Sequence, residues 1–408
     1  MKVLMLTTKY SLQESSPYLT DELAREIGRS GHEIHVLWVN WDNSKKVYEE
    51  RQKINSLIVH EVPAVQINFG PYKLRRLVRW LITPWRVAIH AYKIKKLINP
   101  DVFVAYSPLV ALWLPVWLLT RQCKSRRYLI QWDFFPDAQQ QDGSIRSNFA
   151  VLILRRLENW LMNRFSIIGC MSPRNVDYLK YNYNINENVN VEVLPIWTSL
   201  PSYNEGSREA VRAKYGLPIN KLIFIFGGQF VAGRGIEDIL AAAEMCSEKG
   251  KDFCFLFIGQ GPFVNYINSA ILKKNCDIRL LNNIPRNEYL ALLSVCDVGI
   301  VSTLRVAVPT FPSKSLDYIQ VGIPVLASVD PRTDFGDFIE NNKIGIQVPA
   351  GDLVEFAKGM CLFDEILKTD SQKNLFLKIN FSSVIDKYFS VKDTAINVVG
   401  VNFNNDFL

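Results

Sequence analysis

Histidine is scarce in this chain. Four occur in 408 residues, and the seven cysteines (Cys123, Cys170, Cys246, Cys254, Cys276, Cys296, Cys361) lie far apart with no CxxC pair. That spacing argues against a zinc site and against a disulfide framework, and it fits reduced core thiols. No GxGxxG sits in the first loop, which disfavours hydride transfer with a dinucleotide. The longest uncharged run, residues 102–120, is interrupted by Ser107, Pro108 and Pro115 and opens like a strand rather than a membrane span. The first residues, MKVLMLTT, show no small-residue cleavage pattern, so no signal peptide and a cytosolic location are expected. Short repeats and low-complexity segments are absent as well.

What is present is an ordinary globular composition, 48% hydrophobic and 21% charged, in a chain longer than one core usually sustains. Two domains are the expectation. The net charge of +7 is uneven. Residues 69–98 hold eight basic side chains (Lys73, Arg75, Arg76, Arg79, Arg86, Lys93, Lys95, Lys96) and no acid, interleaved with Trp80, Trp85 and aliphatic residues. Pro84 is expected to divide this stretch into two helices. A basic amphipathic helix with interfacial Trp suits an anionic membrane surface, and the apolar run at 109–119 adds a second Trp-rich surface. The plainer alternative is a helix whose apolar stripe packs on the core and whose basic face is solvated. Nucleic-acid binding is not expected, because no binding motif accompanies the charge.

Strand-length apolar runs alternate with helical patterns along both halves, from KVLMLTT and IHVLWVN to LIFIFGGQF and FCFLFIGQG. Near-continuous apolar strands separated by helices predict parallel sheets covered on both faces, hence an α/β fold of two doubly wound domains. The change to Pro, Ser, Gly and charge places a linker near residues 198–206. The expected division is 1–200, 201–385, and a tail at 386–408 packing back on the first domain.

In open parallel sheets ligands bind beyond the carboxyl ends of the strands, where loops lead into helix amino ends that suit anions. In GGQFVAGRGIEDIL, Gly227 and Gly228 permit close backbone approach, Arg234 supplies a cation, and Gly235 precedes a helix beginning near Ile236. Such a turn fits a pyrophosphate, although glycines in these turns often serve turn geometry alone. Gly259 and Gly261 follow the next strand. In PSKSLDYIQVGIPVLAS, residues 312–328, Pro312 suits a first turn, Ser313 is placed to cap free N–H groups, and Lys314 offers a mobile positive charge. Asp317 lies one turn further on, and Gly322 ends the helix before the strand that starts at Pro324.

These stretches, together with IPRNEYLALLSVCDVGIVST and IGIQVPAGD, resemble the carboxyl domain of GT-B glycosyltransferases of family 4. Those are retaining enzymes with nucleotide-sugar donors, and the Pro-Ser-Lys variant resembles the branch found in bacterial capsule, O-antigen and exopolysaccharide assembly. The resemblance implies two Rossmann-like domains facing a central cleft, the first binding acceptor and the second donor. It puts the nucleotide ribose on Asp317, one methylene shorter than the usual Glu. The acid that holds sugar hydroxyls is replaced by Pro309, which leaves that task to backbone N–H groups around Thr310 and Phe311. The paired diphosphate cations fall on Gln229 and Arg234, so Lys314 becomes the candidate second cation, its alternative being a solvated lysine at a helix start. Gly228, Gly261, Pro312 and Ser313 complete the expected donor site.

In the first domain QWDFFPDAQQQDG resembles the D-x-x-P loop of the same branch, making Asp133 the first candidate for a catalytic-site carboxylate beside Arg234 and Lys314, with Asp137 second. Lys9 and Glu14 would approach the acceptor or stand as surface charges, and Arg75, Arg76, Arg79, Trp80 and Trp85 would meet acceptor or membrane. His32 is expected to be structural and Asp330 to cap the following helix. The implied activity is transfer, with retention, from a UDP- or GDP-sugar to a lipid-linked saccharide in cell-surface polysaccharide synthesis, peripheral to the inner face of the plasma membrane. No metal is expected, since no DxD-like pair occupies the usual place. A sugar-nucleotide epimerase, or a silent nucleotide-binding or scaffold subunit, remains the alternative.

Overall fold

The computed structural model describes all residues except 13–17, 43–47, 55, 122–123, 142, 199–205, 305–307, 369–380 and 401–408, and the backbone alone at 51–54, 72 and 73. Glu14 and Cys123 therefore lie outside the described residues. The chain forms two compact units, Met1–Ser199 with Ser390–Leu408, and Leu200–Phe389.

The first unit contains β1 (Lys2–Thr7), α1 (Leu19–Arg29), β2 (Glu33–Asn40), β3 (Glu49–Ile54), β4 (Leu57–Pro63), α2 (Tyr72–Ile98) and β5 (Val102–Tyr106). Then come α3 (Trp113–Thr120), β6 (Arg126–Gln131), α4 (Asp137–Gln141), α5 (Asn148–Met162), β7 (Ile167–Cys170), α6 (Pro173–Asn182) and β8 (Asn190–Val193). Its sheet runs β3-β4-β2-β1-β5-β6-β7-β8, parallel except for β3. A search for apolar runs misses β3 because its sequence, EERQKI, is charged, as suits an edge that must not pair further.

Pro84 does not divide the basic segment: α2 is one 27-residue helix that runs through it. An interior proline costs about 3 kcal/mol in a helix. Burial on the core face offsets it, since Thr83, Val87, Ala91, Ile94 and Ile98 are all buried and each large aliphatic side chain contributes about 1.5–3 kcal/mol.

The second unit contains α7 (Arg208–Lys214), β9 (Leu222–Gln229), α8 (Ile236–Glu248), β10 (Phe253–Gln260), α9 (Val264–Lys273), β11 (Asp277–Leu281) and α10 (Arg286–Leu293). It continues with β12 (Val298–Ser302), α11 (Lys314–Val321), β13 (Val325–Val329), α12 (Phe335–Asn341), β14 (Gly345–Pro349), α13 (Leu353–Lys368) and α14 (Phe381–Tyr388). The fully parallel sheet has the order β11-β10-β9-β12-β13-β14. Phe224 pairs in register with Phe255, and Phe226 with Phe257, putting four rings into a core shared with α8 and α13. After α14 the chain returns to the first unit, where α15 (Val391–Val399) packs on α1.

Candidate functional site

Counted from β9, the second sheet reads three-two-one-four-five-six, so its strand order reverses between β9 and β12, the place where such sheets hold ligands. The two strands pair only at Val298 with Phe224 and Gly299 with Ile225. Beyond that point Tyr318 of α11 stitches them together: its hydroxyl accepts the Gly227 N–H (3.2 Å) and shares its proton between the carbonyls of Ile225 (3.3 Å) and Ile300 (3.2 Å). A Cβ at Gly299 would collide with that ring, so the small residue in β12 is required by the tyrosine.

The glycines of this region divide by what surrounds them. Gly259 and Gly261 have φ of +151° and +149°, and a side chain at either would strike the backbone of Gly228 or Phe230. Their demand is internal packing, so Gly261, expected in the donor site, is explained by its contact with Phe230. Gly228 differs: at φ +131° nothing lies within 4 Å of where its Cβ would be. Its free face looks onto open space at the end of β9, beside exposed Gln229.

Two cations stand at the reversal point. Arg234 is exposed in the turn whose last residue, Gly235, caps α8 in the left-handed region (φ +59°), and Ser302 at the end of β12 donates to the Gly235 carbonyl at 3.4 Å. Lys314, half-buried at the start of α11, holds its Nζ 3.6 Å from the centroid of the Phe226 ring. Burial holds the Lys314 ammonium well below the usual lysine range, and the Arg234 guanidinium lowers it further. Asp317, one turn along α11, does not relieve it, because its Oδ1 is taken by Arg286 of α10 at 2.7 Å. Among the described residues neither Arg234 nor Lys314 has an acidic partner. Two such cations, one of them a lysine with a depressed pKa, give the reversal point a positive charge that suits an anion.

Some expected roles fall away. Ser313 does not cap α11: its backbone is helical (φ −60°, ψ −28°), whereas a capping side chain needs an extended residue, and Ser315 instead donates to the Pro312 carbonyl at 2.7 Å. Asp330 does not cap α12. It is buried and accepts from the Arg332 side chain at 2.8 and 3.0 Å. Phe311 packs between Phe335, Phe338 and Phe389 with ring centroids 5.1–5.7 Å apart, so its side chain belongs to the core. Pro309 and Pro312 are buried, while Thr310 and Ser313 are exposed.

In the first unit the strand order reverses between β1 and β5, and Asp133 follows the neighbouring β6. Its loop is fixed by Trp132, which is buried, packs at a tilt against Trp197 (ring centroids 4.5 Å apart) and donates from Nε1 to the Leu194 carbonyl. Ser107 after β5 accepts the N–H groups of both Trp132 and Asp133. The Asp133 side chain reaches solvent, yet crowding by protein raises it above the ordinary aspartate value, and the charge of Lys9, after β1, opposes that rise. Asp137 has a different fate. It is buried, receives Arg155 at 2.6 and 2.9 Å, and accepts Tyr178 and Tyr183 hydroxyls, which makes it a structural carboxylate. His32 accompanies the N-terminal amine at 3.2 Å.

Residues 207–373 match the family model for glycosyl transferases group 1. WbjE of Pseudomonas aeruginosa, named as a probable glycosyltransferase, is 31% identical over 153 residues, which is 37% of this chain and 37% of that one. WcaI of Escherichia coli, named for colanic acid biosynthesis, is 26% identical over 161 residues, 37% of this chain and 38% of the relative. The alignment thus spans well under half the length of these curated relatives. The sucrose-phosphate synthase of Thermosynechococcus elongatus superposes with a TM-score of 0.73, covering 98% of both chains at 16% identity. At that identity the likeness concerns the fold alone, and the fold is GT-B: two parallel-sheet α/β domains.

The glycosyl transferases group 1 match contains both cations of the donor-like site, and it also contains partners that inspection of charges and glycines passes over. Tyr318, Gly299, Ser302 and the Arg286–Asp317 pair shape the reversal point. The one signal for them in the sequence is the tyrosine itself, a polar-tipped ring one turn beyond Lys314 on the same helix face, and it is buried. On α2, Leu74, Leu77, Leu81, Trp85, Ile89 and Tyr92 are exposed at helical spacing, while Arg79 turns inward to donate to the carbonyls of Val65 and Trp41. Among the described residues no helix is long and apolar enough to cross a membrane.

Proposed function

We propose that the protein is a retaining glycosyltransferase that moves a sugar from a UDP- or GDP-sugar to a lipid-linked saccharide during assembly of a cell-surface polysaccharide. The observation that supports this best is the pair of cations, Arg234 and Lys314, without an acidic partner among the described residues, at the strand reversal of the unit that matches glycosyl transferases group 1. When the bond between sugar and diphosphate breaks, negative charge grows on the departing phosphate. Cations already in position stabilise that charge without reorganising, which is usually the main source of rate enhancement in such catalysis. Gly228 and Gln229 would offer backbone to the phosphates. Asp317 would meet the ribose from its place against Arg286.

The acceptor hydroxyl would approach on the face the diphosphate leaves and pass its proton to a donor phosphate oxygen, so retention requires no strong side-chain base. Asp133 and Lys9 would orient the acceptor in the first unit. In this reading the two cations do the work a metal does elsewhere, and chelators leave the activity unchanged. The colanic acid connection of WcaI supports the polysaccharide context. Docking on the cytosolic face of an anionic membrane would use the exposed stripe of α2 with its flanking Arg86 and Lys93, by apolar insertion plus electrostatic attraction.

The test is a thermal-shift panel of nucleoside diphosphates and nucleotide sugars on wild type and Arg234→Ala. A ligand that binds only the folded chain stabilises it increasingly above its dissociation constant. Stabilisation by one nucleotide class, lost in the variant, is expected. No shift with any nucleotide would replace this reading with that of a silent subunit.

A further inference from the structure

A concave site lies in the first unit, beyond the carboxyl ends of β2 and β4. It has a volume of about 460 Å³ and is lined by Trp41 after β2, by Gln66, Ile67 and Asn68 after β4, and by Arg75, Arg76, Arg79 and Trp80 on the first turns of α2. That size suits a small organic ligand. Three arginines and no acid are among the described residues that line it. Arg79 is part of the wall, holding the carbonyls of Val65 (3.0 Å) and Trp41 (2.6 Å) with its guanidinium 5.6 Å from the Trp41 ring. Arg75 and Arg76 have no acidic partner among the described residues, so their charge is available to a ligand.

The two indoles give the pocket a direction. Trp41 and Trp80 are tilted with centroids 6.5 Å apart, and Trp80 meets Phe135 at 6.0 Å, two residues beyond Asp133. One end of the pocket therefore adjoins the Asp133 loop. At the other, Leu74, Leu77 and Leu81 are exposed on the same helix turns that carry the arginines.

We infer that this pocket binds the diphosphate of a prenyl-type lipid carrier, with the prenyl chain leaving along the exposed leucines and the attached saccharide directed over Trp41 and Trp80 toward Asp133. The inference rests on the glycosyl-transfer reading for the identity of the saccharide, and on the pocket alone for the diphosphate. Unneutralised guanidinium groups favour a multiply charged phosphoryl ligand, which they grip in bidentate fashion. Indole faces and the Asn68 amide suit the apolar and hydroxyl edges of a sugar ring. A phospholipid headgroup would need only the outer charges, and neither a concave wall nor an aromatic path to the Asp133 loop.

The experiment is calorimetric titration of the full chain with geranyl diphosphate and, separately, inorganic pyrophosphate, alongside co-sedimentation with phosphatidylglycerol vesicles. Arg75→Gln/Arg76→Gln should weaken geranyl diphosphate binding roughly tenfold or more, the loss expected for charge-assisted hydrogen bonds. Arg234→Ala should leave it unchanged, since that variant strips the other unit's site. Arg76 is exposed, so Arg76→Gln alone gives the same direction without risk to folding. Unaltered geranyl diphosphate affinity with diminished vesicle binding would overturn the proposal in favour of headgroup contact. Absent binding by the wild type would overturn it outright. Arginine-dependent binding in a protein that no nucleotide stabilises would keep this subsite and refute glycosyl transfer.

Discussion

Lys314 should make nucleotide binding depend on protons. In the empty site its ammonium is disfavoured, first by burial and then by Arg234. A diphosphate placed between the two would reverse both effects, supplying countercharge to the lysine and neutralising the arginine beside it. Binding then takes up as much as about one proton per nucleotide, and the association constant falls by up to about tenfold per pH unit between the empty-site and the occupied-site pKa of the lysine. Calorimetry in buffers of different ionisation enthalpy, repeated across neutral and alkaline pH, measures the uptake directly. Lys314→Arg should bind without uptake, because a guanidinium keeps its proton throughout. Arg234→Ala should move the window to higher pH while leaving most of the depression, burial being the larger cause.

The same residue bears on stability. With its pKa held below the unfolded value, the unfolded chain binds more protons in that interval, so wild-type stability rises with pH there. Lys314→Met removes the dependence and should stabilise the unliganded protein by about 1 kcal/mol, the ordinary direction when a functional site gives up an unpartnered charge. Nucleotide binding without proton uptake at every pH, in wild type as in Lys314→Met, would refute the assignment of Lys314 to the anion.

Three other outcomes are expected. Asp133→Asn should lower transfer by about 100-fold or more while leaving the nucleotide-induced thermal shift intact, whereas Asp137→Asn should chiefly destabilise the fold, by about 2 kcal/mol or more, because it strands Arg155. Glu158 is fully buried, accepts the N–H groups of Leu109 and Val110, and has its pKa pushed up by burial from 4.5 to about 8; its contribution is complete below about pH 4.5 and lost as pH rises through 8, so Glu158→Gln should flatten the fall in melting temperature across that interval. Leu77→Ser/Leu81→Ser/Trp85→Ser should abolish co-sedimentation with anionic vesicles yet leave nucleotide binding untouched, and retained co-sedimentation would remove α2 as the docking element.

The parallel strands are plain in the sequence because burial on both faces demands unbroken apolar runs, as in LIFIF and FCFLFI. β3 escapes for the opposite reason, being an edge strand that is charged along its length. Pro84 misleads because local propensity says nothing of the five core-facing residues around it that hold α2 together. Charge and glycine spacing lead to the loops at the strand reversal, but not to what each residue touches there. Ser313 has capping chemistry and a backbone that forbids its use. Gly261 answers to Phe230 and Asp317 to Arg286, contacts made only when β9, β10, α10 and α11 come together at the carboxyl ends of the central strands.

That convergence also bears on the missing charge at Gln229. By resemblance, a cation stands at that position in the family; in the proposed reading Lys314 takes its place, on the helix that follows β12 rather than in the loop after β9. Two routes to one diphosphate should be interchangeable if the site needs charge more than a particular side chain. Gln229 is exposed at the end of β9, in register with Gln260, so a lysine there stays solvated and keeps its full charge. In Gln229→Lys/Lys314→Met the nucleotide-induced thermal shift should return at least in part relative to Lys314→Met, and without proton uptake, since an exposed lysine has no depressed pKa to relieve. If the double variant stays as unresponsive as Lys314→Met, the requirement is for an ammonium over Phe226, where burial sharpens its field, and not for positive charge at the reversal point as such.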